Sequence, residues 1–444
     1  MLLQDVTAED NAPSGRFAVW FTIAVLTAAF YCIEHRTFEP MGLEENRISG
    51  DEMSARALEG DLGRRLAIPA VGLLGGLLLM CARQGRIAER STVLAWMLLA
   101  YLGWCILSIL WSIDRPLSSR NVGVLLLCCL GAVGIAARMS INDIWLIALA
   151  VTSILVLNSV RTELSAGLFQ PWVAEYRFAG TLHPNVQAPY CAVMALSAAC
   201  LASRARRGSL LLWAICLTGL GLLVLTKSRT VCASLLAGLL LYSLIGLSWQ
   251  KKLLAGTGAA WCCCAAVAAG VFLGADVESQ VVNAALIGRE EDNESLSGRL
   301  PYWSELAPHI EEHALLGHGY RAFWDPERIA TVSSSVQWTA TDGHSAFLDT
   351  ALDLGIIGLA LFVFVVATGI REGARQYLTF HDAGYGFLFA LLVCRALNAC
   401  LESAFSTPTN FVSFITVCGL VHVGFYHTPQ ISGTERGLSQ EVRS

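Results

Sequence analysis

The sequence predicts an all-α, polytopic membrane protein with about 12 transmembrane helices and a long extracytoplasmic loop between spans 9 and 10. Three observations predict it. Hydrophobic residues fill 55% of the 444 positions and charged residues only 15%, well under the roughly 25% charged residues of soluble domains. Apolar runs of about 17–25 residues recur along the whole chain, long enough to cross a ~30 Å hydrocarbon core as helices. These runs are continuous rather than alternating, which selects helices over the strands of a closed barrel. The net charge of −5 says nothing about nucleic acid, and no basic cluster is large enough to suggest such a partner.

The expected spans cover residues 17–33, 66–82, 91–111, 121–138, 143–160, 186–203, 209–226, 230–248, 253–275, 344–370, 384–405 and 410–427. The runs 186–203 and 230–248 rest on small residues more than on large apolar ones. All 15 cysteines fall inside these spans, among them Cys128, Cys129 and the run Cys262–Cys264, and no pair shows C-x-x-C spacing. They read as small packing residues rather than a disulfide framework or a zinc site. The first apolar run follows about 16 polar residues with no small-residue cleavage site, so it reads as a retained helix.

An even number of spans puts both termini on one side, and basic residues choose that side. Arg83, Arg86 and Arg90, then Arg204, Arg206 and Arg207, then Lys251 and Lys252, then Arg371 and Arg375 all fall on the same side, which is therefore expected to be cytoplasmic. Residues 1–16 and 428–444 are then cytoplasmic tails. The bias is moderated by the first outside loop, 34–65, which holds five arginines of its own. Two further outside loops stand out, 161–185 and 276–343. The second is far longer than an ordinary connection, as functional loops often are. Its Tyr302, Trp303, Phe323, Trp324 and Trp338 suggest a folded cap, and RLPYWSELAPHIEEHALL predicts a short amphipathic helix within it.

The outside-facing polar residues are few. Arg177, His183 and Asn185 lie in YRFAGTLHPN, Arg229 in the LTKSRT turn, Arg299 in SGRLPYW, and His344 opens the tenth span. Several arginines and a histidine on one water-facing rim suggest a site for an anionic group, because guanidinium stays charged and its planar fork suits phosphate oxygens. For a single arginine at a helix end, anchoring to lipid headgroups is the simpler alternative. A histidine before an apolar run can likewise serve only as a cap. Asp349 and Asp353 share one face of the tenth span, where carboxylates are costly and normally face a polar partner. Arg395, Asn398 and Glu402 form a polar stripe at i, i+3 and i+7 on the eleventh span, and that stripe is the expected partner of the two aspartates in an architectural role.

No metal site or cofactor is assigned. HIEEH, His309 to His313, fits the H-x-x-E-H pattern of some zinc peptidases, but no downstream third ligand is evident in the sequence. GHGY around Gly317 and Gly319 is only a fragment of a nucleotide loop, without a preceding strand.

Taken in order, LSILWSIDRPLSSR (107–120), RFAGTLHPN (177–185), LTKSRT (225–230), SGRLPYW with LLGHGYRAFW, and GHSAFLDTALDLGIIG (343–358) resemble the motifs of the O-antigen ligase and polysaccharide polymerase (Wzy-type) superfamily. The likeness runs from about 95 to 425, and the RFAGTLHPN form resembles the exopolysaccharide-polymerase branch most. Ser345 departs from the asparagine that commonly follows the histidine, and residues 1–65 carry no likeness. The resemblance implies a glycosyltransferase of the bacterial inner membrane with its active site on the extracytoplasmic face. Its donor would be a polyprenyl-pyrophosphate-linked glycan, and its acceptor another glycan repeat, a lipid or a protein, with no metal. Flippase and chain-length-control proteins are the further partners it implies. The family's functional residues map to Arg229, Arg299 and His344, with Arg177 beside them. From another class, a transporter or flippase of about twelve spans is the rival reading. The sequence shows no repeated half with matching broken helices, and its polar residues gather at one face instead of the midplane.

Overall fold

A computed structural model of the chain describes residues 13–35, 62–82, 92–205, 208–247, 299–336 and 340–426. Among them the protein is helical. The helices are α1 (Pro13–Phe30), α2 (Leu62–Met80), α3 (Thr92–Leu107), α4 (Arg115–Arg138), α5 (Ile141–Ser165), α6 (Pro184–Ala202), α7 (Ser209–Leu225), α8 (Arg229–Ile245), α9 (Arg299–Glu312), α10 (Pro326–Val336), α11 (Ala346–Phe380), α12 (Ala383–Asn398) and α13 (Phe411–Val421). Seven apolar stretches of at least 18 residues are long enough to cross a membrane, and four shorter apolar helices accompany them. The expected span 253–275, the basic residues of 83–90, 206–207 and 251–252, the loop 276–298 and Trp338 lie outside the described residues.

Packing explains why small residues carry the span 186–203. Helix α6 is buried almost all round, with Ala188, Tyr190, Cys191, Ala198 and Cys200 fully enclosed. It lies against α5 and α7. A helix in that position needs small residues to admit its neighbours. The closest approach is between α2 and α4. A Cβ on Gly75 would come within 2.2 Å of the Leu130 carbonyl oxygen, and one on Gly134 within 2.2 Å of the Gly75 carbonyl oxygen. The 12 described cysteines are all unpaired, and most are buried in the helix bundle.

Local signals set the helix starts. Asp114 caps α4 by accepting from the Leu117 N–H, Ser140 and Asp143 form a reciprocal capping box on α5, and Asn410 caps α13. Ser345 caps α11, its hydroxyl accepting from the Leu348 N–H at 3.4 Å. Serine and asparagine are both good caps, so the departure at Ser345 preserves that function.

Helix α11 is where the loop region meets the bundle. It is interrupted at Gly355 (φ +64°, ψ −170°), a backbone only glycine adopts without strain. The interruption breaks the helical bond from Ile356 N–H to the Leu352 carbonyl, and the loop after α9 supplies the substitutes. Ile356 N–H donates to the Ala314 carbonyl at 2.8 Å, while the Leu352 and Asp353 carbonyls accept from the His318 and Gly319 N–H groups at 3.0 and 2.8 Å. The indole of Trp104 donates to the Leu354 carbonyl at 3.1 Å, and that of Trp111 to the Leu316 carbonyl at 2.9 Å. Gly317 must come so close that a Cβ there would meet the Gly355 nitrogen at 2.4 Å. Residues 314–320 are thereby strapped to the kink. The expected loop helix is present as α9, with Tyr302 and Leu306 buried beneath it. Helix α10 completes the cap, and Phe323, Val332 and Ala340 join Tyr302 and Leu306 in a small core over Leu352.

Candidate active site

The connections at one end of the bundle are tied together by side-chain bonds. His35 Nδ1 is 2.6 Å from the Thr181 hydroxyl, Asn410 donates to Glu34 at 2.9 Å, Arg177 reaches the Thr226 carbonyl at 3.1 Å, and Arg321 donates to Thr407 at 3.1 Å. Residues near 35, 64, 112, 180, 227, 320, 343 and 405 therefore share one polar rim. At the other end Arg204 pairs with Asp382, so the tail of α6 and the start of α12 meet there.

Glu402 is the hub of the rim. Arg299 donates to its Oε1 at 3.0 Å, and Asn185 Nδ2 donates to the same oxygen at 2.9 Å. Asn185 Oδ1 in turn accepts from Arg177 Nη2 at 2.9 Å. Burial pushes the Glu402 carboxyl up to about 7, against the opposing pull of Arg299. Arg299 keeps a buried Nε–H without a hydrogen-bond partner. A cation held in place by one carboxylate, with a donor still unused, is suited to meet a further oxygen.

His344 stands beside this hub. Its Nδ1 is 3.3 Å from Asp342 Oδ1, and its ring lies 6.0 Å from that of Tyr302. Burial is the main cause that lowers its pKa below the ordinary value, helped by Arg299 and opposed by Asp342. The imidazole is therefore neutral at pH 7 and able to accept a proton. Asp342 is held by the Ser403 hydroxyl at 3.0 Å, and Trp303 and Tyr302 donate to the carbonyls of Gly343 and Asp342 at 2.9 and 2.6 Å. His344 itself sits at φ +49° and Arg321 at +51°. Non-glycine residues in this left-handed region are uncommon and often found at functional sites.

A cavity of about 840 Å³ opens next to the hub and shares Asp342 and Ser403 with it. Four arginines, Arg64, Arg65, Arg120 and Arg321, line it together with Asp349 and Asp353. Sequence reasoning gave these four arginines no role. Arg120 and Arg321 lie inside motif stretches, yet their side chains meet only through contacts between distant segments. Arg64 and Arg65 belong to a stretch without any recognisable motif.

The structure corrects one expected pairing. Asp349 and Asp353 do not face the Arg395 stripe. Asp349 Oδ1 accepts from the Gly343 N–H at 2.7 Å and the Trp324 indole at 3.1 Å, and Asp353 Oδ1 accepts from the Phe323 N–H at 3.4 Å. They hold the cap. Arg395 instead donates to Ser413 at 2.9 Å and lies 4.9 Å over the Phe405 ring. The stripe itself is broken, because α12 ends at Asn398 and Glu402 lies beyond it in the turn. Helical spacing could not foresee that end.

Of the other expected site residues, Arg177 and Asn185 join the hub. His183 caps α6, accepting from the Asn185 N–H at 3.2 Å, and is exposed. Arg229 begins α8, three residues after the Thr226 carbonyl that Arg177 reaches, and is half-buried.

Residues 214–363 match the family model described as O-antigen ligase. The matched region runs from α7 into α11 and contains Arg229, Arg299, Asp342 and His344. This match, over about a third of the chain, supports a likeness to the O-antigen ligase (Wzy-type) superfamily of membrane glycan ligases and polymerases; it does not separate out an exopolysaccharide-polymerase branch. No curated protein matches the chain significantly.

Proposed function

We propose that this protein is a metal-independent glycosyltransferase of the bacterial inner membrane. It moves a polyprenyl-pyrophosphate-linked glycan onto an acceptor hydroxyl at the extracytoplasmic face and polymerises the repeat units of a surface or exopolysaccharide. The observation that carries this reading is a neutral, half-buried His344 beside the Arg299–Glu402 hub, at the edge of an arginine-lined cavity, within the region that matches the O-antigen ligase family.

The chemistry follows from that arrangement. The bond between the donor's anomeric carbon and the pyrophosphate oxygen breaks, and the pyrophosphate keeps the electron pair. A bond from the acceptor oxygen to the same carbon forms, and the acceptor proton passes to His344. Pyrophosphate needs no general acid to leave, but its growing charge needs fixed donors, often the largest catalytic contribution. The cavity arginines and the unused Nε–H of Arg299 are suited to that task, and the same role is assigned to Arg177, which bonds Asn185 of the hub, and to Arg229. An imidazole with a pKa near or below neutrality suits deprotonation of a sugar hydroxyl. Asp342 orients the ring, as the third group of such a relay does.

The family description names a ligase, which favours a second reading in which the acceptor is a lipid or a protein. A strain deleted for this protein separates the readings. Single repeats left on the lipid carrier, with long chains restored by wild type and not by His344→Ala, support polymerisation. Long carrier-linked chains that never reach an acceptor support the ligase. Normal glycan in every strain overturns both and favours a transporter.

A further inference from the structure

We propose that Glu312, His313 and His318 form a binding site for a zinc-like divalent transition metal at the base of the loop cap. Their ligand atoms, one from each residue, lie within 4.8 Å of one another, and they are the one such group among the described residues. Sequence spacing concealed it, because the third ligand comes from GHGY, five residues beyond His313. The rings of His313 and His318 are 4.5 Å apart, and His313 Nε2 is 3.9 Å from Glu312 Oε1.

A second observation points to a ligand. His318 is only 1% exposed, and its Nε2 has no hydrogen-bond partner. Its Nδ1 lies 2.8 Å from the Leu352 carbonyl. A carbonyl only accepts, so Nδ1 carries the proton and the buried Nε2 presents a bare lone pair. This is the arrangement of a metal-binding histidine, whose other nitrogen is fixed by a backbone carbonyl or a carboxylate. A buried, unused polar atom is otherwise uncommon in native proteins. Two imidazoles and one carboxylate match the donor set of zinc sites that keep an open fourth position. Tetrahedral zinc with bonds of about 2.0–2.1 Å places its ligands about 3.4 Å apart, so the group must close by about 1.4 Å. The side chains of Glu312 and His313 are 64% and 43% exposed and can swing inward.

The pattern is not the zinc-peptidase one. His309, its first histidine, packs its ring against Phe323 at 5.3 Å. The consequence is mechanical. Glu312 ends α9 and His313 follows it, whereas His318 belongs to the strap bound to the α11 kink. A bound ion joins the two and braces the cap that carries Phe323 and Trp324 beside the cavity.

The test uses the full chain, purified in detergent, stripped with chelator and titrated with Zn²⁺ alone. Bound metal is counted after dialysis, and thermal stability is read in parallel. Wild type should hold one more zinc per chain than His313→Ala. Zn²⁺ should raise the Tm of wild type and not that of His313→Ala, and affinity should fall by roughly 100-fold or more, beyond what loss of an outer-shell partner costs. Glu312→Gln should weaken binding less, and His309→Ala should leave it unchanged. His318→Ala should match His313→Ala, but the exposed His313 keeps the test valid if the buried variant does not fold. Equal zinc content in wild type and His313→Ala, or loss of binding in His309→Ala, overturns the proposal.

Discussion

The two ends of the bundle handle charge in opposite ways. At one end, Arg204 pairs with Asp382, and Arg375 donates to Glu372 at 2.8 Å within one helix turn. Arg371 also lies 3.9 Å from Glu372. At the other end, four arginines line one cavity together with Asp342, Asp349 and Asp353, and Glu34 acts on Arg64. Arg64 lies close enough to Arg120 and Arg321 to feel their charge. Like charges kept together cost stability, and a cleft lined by them concentrates anions. Backbone geometry follows the same division. Among the described non-glycine residues, Lys227, Arg321 and His344 adopt positive φ at the cavity end, and His381 does so at the far end, where it terminates α11.

The contrast can be broken most severely at His344. His344→Ala should lower transfer by about 10²–10⁴-fold, the usual contribution of a general base, with protein yield and melting temperature unchanged. Next, Arg321→Ala or Arg120→Ala should weaken donor binding and slow transfer by roughly 10²-fold, on the scale of losing one donor to a developing oxyanion. Wild-type KM and kcat in both variants would remove the cavity from the mechanism. Arg299→Lys should also lose activity, because an ammonium cannot bond Glu402 and offer a second planar donor together.

A pH profile sharpens the comparison. Glu402 has its carboxyl raised to about 7, so it gains a proton as pH falls through 7 and ceases to balance Arg299. His344, with its pKa lowered, remains a base there. Transfer should therefore decline on the acid side of about pH 7, and Glu402→Gln should flatten that limb at a lower plateau. An unchanged limb in Glu402→Gln would show that another group titrates. The smallest effect is expected at the far end. Arg204→Ala should cost roughly 1 kcal/mol of stability, near the upper range for partly exposed ion pairs, and leave transfer rates as they were.

Much of this arrangement is legible in the sequence because lipid imposes long, uninterrupted apolar runs. Eleven of the expected spans coincide with described helices, and α9 appears where amphipathic spacing placed it. The ends are less legible. Helix α11 continues to Phe380, ten residues past its expected end, because Glu372 and Arg375 bond along the helix and Gln376 is buried. Helix α12 stops at Asn398, which frees Glu402 to turn toward Arg299. The grouping of Arg177, Asn185, Arg299 and His344 on one rim follows from counting spans. The meeting of Arg177, Asn185 and Arg299 at Glu402 does not, since Asn185 and Glu402 are more than 200 positions apart. The Gly355 kink and the strap of 314–320 are likewise invisible to any local pattern, as is His318 beside His313.

The most direct test is transfer by the purified protein in liposomes, with radiolabelled lipid-linked glycan as donor and an oligosaccharide acceptor, comparing wild type with His344→Ala. The account predicts new glycosidic bonds and released polyprenyl pyrophosphate with wild type, and donor binding without either product with His344→Ala. Equal rates of bond formation in the two proteins, or donor translocation with no new bond in wild type, would contradict it.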